Sequence, residues 1–221
     1  MTGDAASPVR VAIVDDHPLY REMLAAVLAG SPEVVVTVEA GSVAEALRRI
    51  APGEVDVAIL DVDLPDGNGV GLGVQLRRRS PGIGILLISS QDVMEYLVDL
   101  PADVRKGWSY LSKNSPLSST RTVVEALRAT AAGGTVLDPV LVARARPRTG
   151  SALAGLSARQ YEVLTLVALG LSNAGVAERL GISARSVENH LNLIYAALRL
   201  PAHANSRVSA VLRFIEDSSR D

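Results

Sequence analysis

The chain has 221 residues, a formal net charge of −2 and 48% hydrophobic residues, enough for two modest domains that each bury a core. It contains no cysteine, which excludes disulfides and thiolate metal sites and fits a reducing compartment. No basic segment followed by a long apolar run opens it, and no run approaches membrane-spanning length, so a cytoplasmic protein with no membrane partner is expected. In chain order, short β-branched apolar runs at Val9–Val14, Val34–Val38, Val55–Leu60 and Ile83–Ile88, with a weaker one at Trp108–Leu111, have the character of buried parallel strands. Helical patterns separate them. Leu19, Met23 and Val27, with Tyr20, Leu24 and Leu28, repeat at helical spacing, and Ser42-Val43-Ala44-Glu45 has the form of a capping box. Alternating β and α elements predict a doubly wound sheet, whose crevice lies at the carboxyl ends of its strands.

Three of these strand ends carry charge. Asp15 and Asp16 follow the first run, Asp61 the third and Lys113 the fifth, so all four side chains are expected at one edge of the sheet. Mg²⁺ takes oxygen ligands and keeps several waters, and Asp15, Asp16 and Asp61 supply carboxylates for it. A divalent ion there would relieve carboxylate repulsion and attract a phosphoryl group, leaving Asp61 as a nucleophile able to form an aspartyl phosphate. Ser89 offers a hydroxyl at the end of the fourth strand, with Ser90 beside it as an alternative, and Lys113 a point charge for phosphoryl oxygens. Lys106 and Lys113 are the only lysines in an otherwise arginine-using chain, which makes a lysine at this place mildly informative. Taken singly, each residue has a bland explanation: the acid pair as a solvated loop, Tyr110 and Trp108 as core, His17 as a helix-start residue.

The order and spacing of these residues, with Asp61-Val62-Asp63-Leu64-Pro65, Gly69, and Tyr110 three positions before Lys113, resembles the receiver domain of bacterial two-component response regulators over residues 8–133. The resemblance implies a flavodoxin-like fold with five parallel strands. It implies Asp61 as phosphoacceptor, Mg²⁺ held by Asp15, Asp16, Asp61 and the backbone carbonyl of Asp63, and Ser89 and Tyr110 as switch residues. Lys113 would contact the phosphoryl group, and a sensor histidine kinase would donate it. Between Gln91 and Trp108 a helix is expected, but Leu100-Pro101 interrupts it and no small-residue turn is expected before the fifth strand.

Beyond Gly133-Gly134 the composition changes. Asp138-Pro139 has the form of a helix start, Val140–Ala145 of one short helix, and Arg144 to Ser151 of a basic flexible linker, so residues 134–152 are expected to connect two domains. An all-helical module follows over 153–218. Ser157-Ala158-Arg159-Gln160 is a second capping box before a stripe of Tyr161, Leu164, Val167 and Ala168. Ser172 caps a helix with Val176, Ala177 and Leu180 inward, and Ser183 caps another with Val187, Leu191, Ile194 and Leu198 on one face. The tight Gly181-Ile182-Ser183 connection has the form of a helix-turn-helix whose second helix enters the major groove. The runs Leu156–Leu164, Gly170–Asn173 and Ser186–Leu191 resemble the four-helix LuxR-type DNA-binding domain that follows receivers in the NarL/FixJ family. A transcriptional regulator that binds double-stranded DNA is implied.

Arg185, Glu188, Asn189 and Asn192 lie off the apolar face and are candidates to reach bases or phosphates; Ser186 joins them at the helix start. The family commonly has lysine where this chain has Glu188. Residues 151–221 hold seven arginines and six acids, a formal +1, so a monomer is expected to bind DNA weakly and a phosphorylated homodimer to bind it better. Val208, Val211, Leu212 and Ile215 form a stripe that could serve that dimer or the domain's own core. Two alternatives remain open. Asp61-Val62-Asp63 also resembles the nucleophile motif of haloacid-dehalogenase-type phosphatases, although there the other acids lie downstream and no helix-turn-helix follows. The C-terminal half could also be a protein-binding module with little DNA affinity.

Overall fold

The computed structural model of the chain describes residues 7–90, 100–101, 104–114, 120–200 and 205–220. Its N-terminal half alternates β1 (Val9–Val14), α1 (Pro18–Ala29), β2 (Val34–Ala40), α2 (Val43–Arg49), β3 (Val57–Asp61), α3 (Gly69–Arg79), β4 (Gly84–Ser89), β5 (Trp108–Ser112) and α4 (Thr120–Ala131). The five strands are all parallel in the order β2-β1-β3-β4-β5, the flavodoxin-like arrangement. A small hairpin, Asp63–Leu64 against Gly67–Asn68, leads from β3 into α3.

Alternate residues of each buried strand feed two cores. Val11, Ile13, Val57, Ile59, Leu86 and Ile88 meet α1 and α4 on one face. Ala12, Ala58, Leu60, Ile85 and Leu87 meet α2 and α3 on the other. Only one of the two rows expected on α1 faces inward: Leu24 and Leu28 are buried, whereas Leu19 is 81% exposed. The α2 capping box is half formed. Ser42 accepts from the Glu45 N–H (3.2 Å), but the Glu45 carboxylate accepts from Gly41 (2.8 Å) instead of Ser42, and Asp66 reaches over to accept the Val43 and Ala44 N–H groups at 2.8 and 2.9 Å.

Most of the helix expected between Gln91 and Trp108 lies outside the described residues. A small-residue turn does precede β5, contrary to expectation: Gly107 adopts φ +68° there while its carbonyl accepts from Ile85 at 2.8 Å.

The C-terminal half comprises α5 (Pro139–Arg144), β6 (Ala145–Pro147), α6 (Ala158–Ala168), α7 (Asn173–Leu180), α8 (Ala184–Ala197), α9 (Ser206–Glu216) and β7 (Ser218–Arg220). Ser157, Ser172 and Ser183 each accept a backbone N–H three residues on, as their positions predict, and the Ser157–Gln160 box is complete. The expected flexible linker is instead an ordered ladder. β6 pairs antiparallel with β7, the Arg148 N–H donates to the Asp217 carbonyl (2.8 Å), and buried Asp217 accepts from the Leu153 N–H (3.4 Å). The partner strand is some 70 residues away in sequence, so nothing in the composition of 144–151 announces it.

The two halves share one core. Val136 donates to the Ser109 hydroxyl (3.0 Å) and accepts from the Tyr110 N–H (2.9 Å), which extends the sheet edge beside β5, and the Leu137 N–H donates to Ala168 at the end of α6 (2.9 Å). Tyr110 and Leu137 thereby join Val163, Val167 and Ala168 in a continuous buried cluster. Asp138, fully buried, caps α5 through Val140 (2.8 Å) and also accepts from the Ser112 N–H (3.0 Å), the residue before Lys113.

Candidate functional site

Parallel strands β1, β3 and β5 end together, and their terminal charges converge. Lys113 donates to Asp61 Oδ2 at 2.6 Å and contacts Asp15 Oδ2 at 2.7 Å. Asp15 and Asp61 are buried, Asp16 is exposed, and ligand atoms from these three and His17 lie within 4.8 Å of one another. Asp15 is fixed on both sides: its Oδ1 accepts from the His17 N–H (2.9 Å), and its carbonyl accepts from Arg21 (2.5 Å). Asp61 Oδ1 accepts from the Asp63 N–H (3.4 Å), which ties the nucleophile position to the loop whose backbone the sequence nominates as a ligand. Gly69 permits this packing, since a Cβ there would stand 2.1 Å from the Asp61 carbonyl oxygen.

Burial pushes the Asp61 carboxyl above its ordinary value, with Lys113 pulling the other way and Asp15 adding to the rise. Burial would lower Lys113, but its bonds and charges from Asp15 and Asp61 leave it raised. Three carboxylates thus face one ammonium. That deficit of positive charge, made of hard oxygen donors, suits a divalent cation of the Mg²⁺ type. His17 is the N-cap residue of α1, as its sequence position suggests, yet its Nδ1 also lies 2.6 Å from Asp16 Oδ1 within the cluster. Nothing in the residue pattern signals that second placement.

Ser89 and Tyr110 are buried on neighbouring strands rather than presented at the surface. Ser89 pairs in register with Ser112, one residue before Lys113, and the exposed Ser90 accepts from Asn114 through its carbonyl (2.8 Å). Tyr110 lies deeper, opposite Leu87, on the face that meets Leu137.

In the C-terminal half, Val187, Leu191, Ile194 and Leu198 bury the inner face of α8, and Arg185, Glu188, Asn189 and Asn192 are exposed on the outer one. The Ser186 hydroxyl lies 2.8 Å from that of Ser183, so it takes part in the helix cap. Arg207, which sequence reasoning missed, anchors α9 to the start of α7 through Asn173 Oδ1 (3.0 Å) and the Leu171 carbonyl. The stripe Val208, Val211, Leu212 and Ile215 is buried within the chain, on the helix that packs against α6 and α8, and is not an open dimer surface. Phe214 meets Tyr161 at 5.9 Å on the same helix pair.

Two families match the two halves. The family described as "Response regulator receiver domain" covers residues 11–125, and "Bacterial regulatory proteins, luxR family" covers residues 154–213. The chain is a two-component response regulator with a LuxR-type DNA-binding domain. This regulator is 33% identical to the DNA-binding transcriptional activator DevR/DosR of Mycobacterium tuberculosis over 208 residues, covering 91% of this chain and 94% of the relative. It is 31% identical to the nitrate/nitrite response regulator protein NarP of Escherichia coli, with 96% of each covered. The crystal structure of response regulator ChrA of a heme-sensing two-component system aligns over 94% of this regulator and 96% of that chain, at 28% identity and a TM-score of 0.50. No helix among the described residues is long and apolar enough to cross a membrane.

Proposed function

We propose that residues 8–133 accept a phosphoryl group on Asp61 from a sensor histidine kinase, and that residues 153–218, joined through 134–152, bind double-stranded DNA in response. The protein would act in the cytoplasm, as a homodimer when phosphorylated, and not as an enzyme acting on other substrates. The observation that carries this reading is Lys113 bridging Asp61 at 2.6 Å and Asp15 at 2.7 Å beside Asp16. Asp15, Asp16, Asp61 and the Asp63 carbonyl would hold Mg²⁺, which supplies charge neutralisation for the incoming phosphoryl group. An Asp61 carboxylate oxygen attacks phosphorus; the bond from phosphorus to the donor imidazole nitrogen breaks, and its electron pair stays on that nitrogen. Lys113, released from Asp61, follows the charge onto a phosphoryl oxygen. Ser89 donates its hydroxyl to another, and Tyr110 answers the change from the core.

Acetyl phosphate with Mg²⁺ should add one phosphoryl group to the intact protein. An undiminished extent of modification in Asp61→Asn would overturn the assignment. Lys113→Ala is expected to keep its Mg²⁺ affinity and to respond poorly to the donor.

Exposure of Arg185, Glu188, Asn189 and Asn192 supports DNA contact without any unmasking of α8. A dimer built on the Val208–Ile215 stripe would instead require α9 to leave its present neighbours. Sedimentation and DNA titration at one fixed salt, with and without phosphorylation, test that step: equal assembly and equal affinity would exclude a phosphate-driven dimer.

A further inference from the structure

We infer that Tyr20 is a positioning residue for Lys113; the inference rests on the phosphoacceptor reading of Asp61. The Lys113 ammonium lies 4.7 Å from the centroid of the Tyr20 ring, within range of a cation–π interaction. The ring is rigidly related to the acids. Tyr20 sits in the first turn of α1, its N–H donating to the His17 carbonyl at 3.1 Å, and the His17 N–H in turn donates to Asp15. The hydroxyl of Tyr20 is buried and has no hydrogen-bond partner among the described residues, so the ring face, not the phenol oxygen, is what this side chain offers the site.

Phosphorylation explains why such a contact is useful. Lys113 has two carboxylate partners in the unmodified site, and formation of the acyl phosphate on Asp61 moves the negative charge of one of them out onto the phosphoryl oxygens. The attraction of the ring for the ammonium does not depend on the charge carried by Asp61. It holds the ammonium over the pocket, away from solvent, in reach of the phosphoryl oxygens. A leucine at position 20 would still pack against the core beneath α1 but would have no quadrupole to hold the charge.

The chain has only two lysines, so the ε-methylene resonances of Lys106 and Lys113 can be separated by one Lys113→Arg spectrum of the full-length protein. One lysine signal is expected upfield from the ring current, retained in Tyr20→Phe and lost in Tyr20→Leu. The rate of modification by acetyl phosphate with Mg²⁺ should stay within about twofold in Tyr20→Phe and fall roughly 2- to 30-fold in Tyr20→Leu, the range spanned by exposed to desolvated cation–π contacts. The rescue by phenylalanine separates the ring from general destabilisation. An unshifted Lys113 signal in the wild type, or an unchanged rate in Tyr20→Leu, would overturn the positioning role. Equal loss in the Phe and Leu variants would overturn it as well, since the hydroxyl would then be responsible. A wild-type protein that acetyl phosphate leaves unmodified would defeat the Asp61 reading even with the lysine signal in place.

Discussion

The sheet edge and the outer face of α8 handle charge in opposite ways. At the sheet edge Asp15 and Asp61 are buried, and half-buried Lys113 lies within 2.7 Å of a carboxylate oxygen of each, so the three fix one another's place and Asp61 and Lys113 shift one another's ionisation. On α8 the apolar residues close the core and the polar ones stand in solvent, each adjustable without disturbing the fold. Changes in the first region should therefore couple stability to chemistry, and changes in the second should alter recognition alone.

The largest expected effect tests the coupled side. Asp138→Ala would remove a fully buried acceptor from the part-buried Ser112 and Val140 N–H groups, at a cost of about 1–3 kcal/mol for the first and about 0.5–2 kcal/mol for the lost helix cap, and should lower the melting midpoint while slowing phosphorylation through the displaced Lys113. Unchanged stability would remove Asp138 as a structural tie between the halves. Next, Gly69→Ala forces a methyl against the Asp61 carbonyl and should cost about 1–3 kcal/mol by overpacking. Denaturant unfolding and acetyl phosphate labelling are both expected to report it, whereas an α8 surface change should move neither.

Glu188→Lys then sharpens the other side. If the carboxylate merely stands near the DNA backbone, the change should tighten binding to every duplex and steepen the salt dependence by roughly one unit per new phosphate contact. If it instead reads a cytosine amino group, roughly 1–3 kcal/mol of discrimination at one base pair should vanish. Titration of cognate and scrambled duplexes over a salt series separates the two, with melting expected to be unaffected.

The smallest effect is acid sensitivity away from the site. Arg10 holds the Asp56 carboxyl below its ordinary value, and the Ala44 and Val43 N–H groups do the same for Asp66. Because both are depressed in the folded state, their stabilisation is present above the unfolded carboxylate value and is lost as pH falls through the depressed folded values. Asp56→Asn and Asp66→Asn should each flatten the acid limb of a melting-midpoint profile and leave its neutral-to-alkaline limb in shape.

Strands such as β3, with Val57–Leu60, were legible because burial on both faces leaves a continuous apolar run, and three of the four helices from α6 to α9 because a serine cap and a period of 3.6 are local signals. Asp15, Asp16, Asp61 and Lys113 could be placed together because each follows a strand of known direction. What escaped notice depends on distant partners. The second bond of Asp138, the β6–β7 ladder, the reach of Asp66 to α2 and the ring of Tyr20 over Lys113 all pair residues more than 20 positions apart. Val208 to Ile215 had the right period, but periodicity alone does not distinguish a surface turned toward a second molecule from one turned inward.

Residues 136–138 have a protective consequence as well. β5 is the outermost strand of the sheet, and its Tyr110 and Ser112 N–H groups are taken up by Val136 and Asp138, beyond the point at which a receiver would ordinarily be trimmed. A fragment ending at Gly133 would present an open β-strand carrying Trp108, Tyr110 and Leu111, a template for edge-to-edge aggregation, whereas one ending after Arg144 keeps its own cover.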